Sequence, residues 1–205
     1  MGWIDRRKLL LAASGAAFVA LAPSGAAALV RTPNAAEGPY YPTPAMRFED
    51  VDNDLVKVAS AVKQAGGEII ILRGRVLDSA GAPVTGARVE IWQCDANGRY
   101  LHTRERGRQD RDPAFQGFGH YVTGTDGAYW FRTIKPVPYP GRAPHIHVKV
   151  HHDGRELTTQ LYLPNEPRNA RDVLYGRMTE AQRTAVTMNF GADRDGVEAT
   201  VNLVL

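Results

Sequence analysis

The sequence predicts an all-β fold: a β-sandwich core, preceded by a long irregular arm and accompanied by a short helix near the C-terminus. Three observations predict it. From position 68 onward, strand-like runs rich in β-branched and aromatic residues recur at short spacing, separated by Asp-Gly and Asn-Gly turn signals. Upstream, residues 30–61 are rich in Pro, Asn, Asp and aromatic side chains with no sustained hydrophobic period, which marks extended chain without regular structure. At 205 residues and 43% hydrophobic content, the chain can bury one substantial core without dividing into two folding units.

The first segment, residues 1–28, reads as a leader. Asp5-Arg6-Arg7-Lys8-Leu9-Leu10-Leu11 opens it, an apolar stretch runs to Ala22, and Pro23, Gly25 and Ala26-Ala-Ala28 follow. A positive start, an apolar run short for a membrane span and a small-residue end are the parts of an export signal, and paired arginines favour the twin-arginine (Tat) route. Cleavage is expected after Ala28. The Tat export machinery is then a partner, and the mature protein is expected in the periplasm or outside the cell. A lone Cys94 agrees: it can form no internal disulfide, so stability in an oxidising compartment must come from packing.

Residues 29–67 are expected to form the arm and residues 68–205 the sandwich domain. Predicted strands cover 68–77, 87–95, 120–125, 128–134, 145–152 and 156–163, with turns at 78–82, 95–98, 126–127 and 153–154. Thr179-Glu-Ala-Gln182 has the form of a helix-starting capping box, and 197–205 reads as a closing strand. The net charge of +3 is modest, and the basic run at 104–111 is interleaved with acids, which argues against nucleic acid as a partner.

The chemistry concentrates in Tyr139-Pro-Gly-Arg142-Ala-Pro-His145-Ile-His147. In an extended strand His145 and His147 project from one face, so two nitrogens can meet one metal. His-x-His also occurs in plain strands, where Gly141 and Pro144 would merely shape the preceding turn. Zinc sites recruit Cys, His, Asp or Glu, and no Cys or acid follows this motif until Asp153 and Glu156. The nearest oxygen donor is the Tyr139 phenol. A second tyrosine, Tyr100, ends the run Val89-Glu-Ile-Trp-Gln-Cys-Asp-Ala-Asn-Gly-Arg-Tyr100. A phenol with a pKa of about 10 binds well only to a cation acidic enough to deprotonate it, and ferric iron is one. Two rival readings remain: a zinc or copper hydrolase built on His145, His147, His151, His152 and Glu156, and a binding module without catalysis. His151 shares the face of the first pair but lies farther along the strand.

From Leu72 to Tyr162 the chain resembles the intradiol ring-cleavage dioxygenases. The residues that carry the resemblance are Gly74-Arg-Val-Leu-Asp78, Pro83-Val-Thr-Gly-Ala87, Val89-Glu-Ile-Trp-Gln93, Gly98-Arg-Tyr100 and Asp112-Pro-Ala-Phe-Gln-Gly117. Phe131-Arg-Thr-Ile-Lys-Pro136, Tyr139-Pro140, His145-Ile-His147 and Thr159-Gln-Leu-Tyr162 continue it in the family's order. The resemblance implies a prealbumin-like sandwich holding a non-haem Fe(III) through Tyr100, Tyr139, His145 and His147. It implies a small aromatic diol and O2 as substrates, Arg142 as an electrostatic stabiliser, Gln160 as an orienting group and Tyr139 as a proton acceptor. Glu37-Gly-Pro-Tyr-Tyr41 resembles a motif of the protocatechuate-like branch, which implies that Pro39 and Tyr40 touch the substrate. Larger members have a longer loop between the second tyrosine and the first histidine. Here only Pro140 to Pro144 intervene, so a more open mouth is expected. The arm is free to pack on its own domain or to join a homo-oligomer.

Overall fold

The structure, a computed structural model, describes residues 28–49, 51–59, 63–105, 109–193 and 196–205. The leader expected over residues 1–28 lies, up to residue 27, outside the described residues. The strands are β1 (Ile69–Leu77), β2 (Arg88–Trp92), β3 (Phe118–Val122), β4 (Ala128–Ile134), β5 (His145–His152), β6 (Arg155–Tyr162), β7 (Asn189–Asp193), β8 (Gly196–Thr200) and β9 (Leu203–Val204). They form two sheets. One runs β4-β1-β8-β7 with β9 also paired to β1; the other runs β3-β2-β5-β6.

Alternation explains the core between them. Ile70, Leu72 and Val76 of β1 and Tyr129 and Phe131 of β4 meet Val89 and Ile91 of β2, Ile146, Val148 and Val150 of β5, and Leu157 and Leu161 of β6. Period-2 patterning places each set on one face of its strand. The opposite face of β2, β5 and β6 then carries Trp92, His145, His147, Lys149, Gln160 and Tyr162. Register aligns them: His147 lies across from Trp92 on one side and from Gln160 on the other, and His145 lies across from Tyr162. An outer face of this kind normally meets water, yet β5 is buried on both faces from His145 to Val150.

The arm provides the cover. It contains one short 3-10 turn, Pro44–Met46, and otherwise follows the sheets through single backbone contacts, as expected of extended chain. Ala35 N–H donates to Thr158 O (2.7 Å), Thr32 N–H to Val204 O (3.1 Å), and Leu55 N–H to Arg132 O (2.8 Å). Leu55 and Val56 enter the main core. Glu37 pairs with Lys149 on the outer face of β5.

Three expected elements differ in extent. The second strand ends at Trp92 rather than residue 95, where the Asp95 carboxylate gathers the amides of Asn97, Arg99 and Asp112 into a turn. The third spans 118–122 rather than 120–125: a Cβ on Gly119 would lie 2.5 Å from Asp52 O, so the arm crosses where a glycine hides the strand signal. The closing segment 197–205 breaks into β8 and β9. Val201 lies too close to Gly74 for any side chain there, and Asn202 accepts from Arg75 N–H instead of continuing the ladder. The capping box at Thr179 starts helix α2 (Glu180–Val186). Helix α1 (Val173–Gly176) and the 3-10 turn Pro167–Arg171 before it were not anticipated.

Candidate metal centre and active site

The site is built on the outer face of β5. His145 and His147 leave that strand side by side, with their Nε2 atoms 3.1 Å apart. The first imidazole is oriented by its other nitrogen, since His145 Nδ1–H donates to Ala143 O at 2.7 Å. That tautomer leaves a lone pair on Nε2. The second ring is fixed by stacking on Trp92, 4.7 Å between centroids and 11° between planes, while its Nδ1 is buried without a partner. Both rings are buried in a place that disfavours the imidazolium. Burial pushes His145 down to about 4, and burial, with the charges of His145 and Arg142 adding, holds His147 well below its usual range.

Tyr100 and Tyr139 arrive on loops that cross. Asn97-Gly98 turns the chain after β2, with Gly98 in the left-handed region at φ 75; a Cβ there would sit 3.5 Å from Pro138 O and 3.8 Å from Tyr139 Cβ. This close passage sets the rings edge to face, 5.4 Å apart. Tyr100 is 5.9 Å from His147 and Tyr139 is 5.5 Å from His145, centroid to centroid. Tyr100 Oη is buried and has no hydrogen-bond partner. Burial first, then Cys94 and Tyr139 beside it, raises the Tyr100 phenol well above 10; burial also raises Tyr139, against the opposing pull of Arg142.

Arg142 lies in the tight turn between Tyr139 and β5, where its N–H donates to Tyr139 O at 3.0 Å. Its guanidinium reaches four side chains. Nη1 donates to Tyr139 Oη (3.4 Å), Nη2 to Gln160 Oε1 (2.5 Å) and Tyr162 Oη (3.3 Å), and Nε to Asp172 Oδ2 (2.8 Å). Gln160 has its amide orientation set from both ends: Oε1 also accepts from Tyr162 Oη–H at 2.9 Å, and Nε2 donates to Ala36 O of the arm at 3.0 Å.

The arm forms the roof. Gly38, at φ 79, passes so that a Cβ would lie 3.5 Å from His147 Cε1, and Tyr40 stacks on Tyr100 at 5.0 Å. Pro39 lies between these two residues. A cavity of about 360 Å³ opens beside Tyr139, Gly141, Arg142 and Arg171.

Tyr40, Tyr100, Tyr139, Arg142, His145, His147 and Gln160 therefore lie together, and Pro39 is the chain neighbour of Tyr40. Asp172, the buried partner of Arg142, carries no signal in the sequence that links it to this site. Cys94 is buried, with its thiol against Val137 O and pushed up to about 12, chiefly by burial, as a core residue should be. Among the described residues, no group of three or more His, Cys, Asp and Glu is arranged to hold a metal, which leaves the histidine-acid hydrolase without a site. Two imidazoles and two phenols fit a hard, trivalent cation. Buried phenols resist ionisation unless such a cation takes the charge, and the two Nε2 atoms face each other beside the buried Tyr100 Oη.

The comparisons agree in kind. The protein family described as Dioxygenase matches residues 36–205. The chain is 40% identical over 152 residues to the protocatechuate 3,4-dioxygenase beta chain of Burkholderia cepacia, covering 70% of this chain and 65% of that protein. It is 36% identical over 129 residues to hydroxyquinol 1,2-dioxygenase of Rhizobium sp. strain MTP-10005, covering 54% of this chain and 42% of the relative. The chain thus spans two thirds or less of the length of these curated relatives. Among solved structures, the dioxygenase domain of a dioxygenase carbohydrate-binding protein fusion from Streptomyces sp. SirexAA-E superposes with a TM-score of 0.63 at 36% identity, over 86% of this chain and 98% of that one.

Proposed function

The chain belongs to the dioxygenase family, with protocatechuate 3,4-dioxygenase and hydroxyquinol 1,2-dioxygenase proteins among its relatives, and from that premise we propose that it is a non-haem Fe(III)-dependent intradiol dioxygenase. It cleaves a catechol-type ring, of the protocatechuate, catechol or hydroxyquinol class, between the two hydroxyl-bearing carbons. Both atoms of O2 enter the product, a cis,cis-muconate-type diacid. The observation that carries this reading is the pair of imidazole Nε2 atoms, 3.1 Å apart, beside the buried and unpartnered phenol of Tyr100.

Tyr100, Tyr139, His145 and His147 would hold the iron. When bound, Fe(III) supplies a Lewis-acidic centre that takes the deprotonated diol oxygens and opens the ring carbon to O2. The remaining work falls to the chain. Of the two tyrosines, Tyr139 is the more exposed and the one that accepts from Arg142, so its Oη is the one suited to take a diol proton. Arg142, always charged, stabilises negative charge that develops on the ring beside it. Gln160 orients the reacting groups from a fixed position, and Pro39 and Tyr40 form the substrate-facing wall of the roof. A ring of π-faces beside a cavity suits a planar diol with room for a substituent.

The same reading extends to the whole chain. Residues 1–28 are a Tat leader, 29–67 the arm and 68–205 a prealbumin-like sandwich that carries the catalysis. The enzyme works in the periplasm or outside the cell, alone or as a homo-oligomer. Incubating the iron-loaded protein with each diol under ¹⁸O2 tests the activity. A ring-opened diacid carrying two labelled oxygens is expected; no consumption of any diol, or cleavage outside the diol bond, would contradict it.

A further inference from the structure

Among the described residues, Asp172 is the acid whose carboxylate is fully buried against Arg142, and both its oxygens are used. Oδ2 accepts from Arg142 Nε (2.8 Å) and from Ala143 N–H (3.0 Å). Oδ1 accepts from Leu174 N–H (3.0 Å) and Tyr175 N–H (3.2 Å), the first amides of α1. The side chain has no exposure, and that of Arg142 has 19%. The two oxygens divide the labour: one caps a helix, the other grips the turn that leads into β5.

We propose that Asp172 is a positioning residue for the reaction, holding the Arg142 guanidinium by its Nε edge so that Nη1 is presented to Tyr139 Oη. A guanidinium is a rigid plane. With Nε held by Asp172 and Nη2 held by Gln160 and Tyr162, its orientation is set by two of its edges, and Nη1 has one side chain left to meet. The same carboxylate oxygen anchors Ala143, whose carbonyl accepts from His145 Nδ1–H. One residue, 30 positions downstream of Arg142, thus ties the arginine and the first histidine to α1. The inference rests on the role given to Arg142 above.

Asp172→Asn separates positioning from helix capping. Asparagine keeps one carbonyl oxygen for the α1 amides, as good a cap as aspartate, but presents an NH2 where Arg142 and Ala143 need an acceptor. The full-length variant is compared with wild type in three ways: iron content, steady-state kinetics on the diol that wild type cleaves, and the ¹⁵N–¹H resonance of Arg142 Nε in the metal-free chain. We expect iron retained, the slowly exchanging Nε–H resonance lost, and kcat down about 10- to 100-fold with KM nearly unchanged, the scale of a misplaced catalytic group. In an Arg142→Ala background the Asp172→Asn change should remove nothing more. An unaltered resonance, an unaltered kcat, or a further loss in the double variant would overturn the proposal. If wild type cleaves no diol while its resonance is present and vanishes in Asp172→Asn, the functional reading fails and the grip on Arg142 stands.

Discussion

Strand β5 carries two pairs of histidines, and the two ends of the strand treat them differently. At its start His145 and His147 are 1% and 2% exposed and turn their Nε2 atoms toward each other. At its end His151 is 39% exposed and lies between Glu90 (3.6 Å) and Glu156 (3.5 Å), while His152 lies 3.3 Å from Asp153. His145, His147 and His151 share a face by strand period, so alternation cannot separate them. The cover separates them. The arm roofs the first half of β5 with Gly38 and Tyr40 and leaves the second half to solvent and to acids. What sets the covered pair apart is burial, which holds both imidazoles neutral with their Nε2 atoms facing each other.

The largest expected effect that tests this contrast comes from removing a donor at the covered end. His147→Ala or Tyr100→Phe should lose bound iron and with it the visible phenolate-to-iron absorption; iron analysis and a spectrum decide it, and full metal with full colour would remove that residue from the ligand set. Next, Arg142→Ala should keep iron and colour but lower kcat by about 100- to 1,000-fold, the usual cost of removing an electrostatic stabiliser. Unchanged turnover would reduce Arg142 to a brace of its turn.

A third effect is on stability in acid, and its sign follows from burial. His145 stays neutral in the folded, metal-free protein down to about 4, against 6.5 when unfolded, so between those values the unfolded chain binds the extra proton. Stability should therefore fall as pH drops from 6.5 toward 4, by on the order of 3 kcal/mol from His145 alone. Urea midpoints across that range measure it, and a flat profile would contradict the burial. The smallest effect belongs to the open end. His151→Ala should leave iron and turnover as they are and change stability by less than about 1 kcal/mol, because an exposed pair contributes little. Loss of iron in that variant would erase the distinction between the two ends.

How much of this was legible in the sequence depends on the element. β1, β4 and β5 were readable nearly to the residue because β-branched runs end at clear turn signals. β3 was displaced because Gly119, needed where the arm crosses, looks like a break rather than a strand position. β7 is hard to read because Asn189-Phe-Gly-Ala-Asp193 is only five residues long, with Phe190 as its one large apolar side chain between a glycine and polar ends. The residues themselves pointed to His145, His147 and two nearby tyrosines; Arg142 and Gln160 entered through the resemblance to the intradiol family, and the fold brings all six side chains close together. Asp172 was not readable: it follows Pro-Arg-Asn-Ala-Arg in a polar stretch, and its one local signal, an acid before a short helix, describes a cap and says nothing of Arg142. The arm was expected to wrap something. Which face it covers was hidden, because a chain without a hydrophobic period holds no record of its docking surface.

In the proposed site, two tyrosinates and two imidazoles at the covered end of β5 would hold ferric iron for a diol. The most direct measurement is the visible spectrum of the iron-replete protein before and after anaerobic addition of catechol, protocatechuate and hydroxyquinol in turn. A broad phenolate-to-Fe(III) band is expected, one that shifts with at least one diol and bleaches, with formation of a ring-opened diacid, when air is admitted. A colourless protein with iron bound, or a band indifferent to every diol, would contradict it.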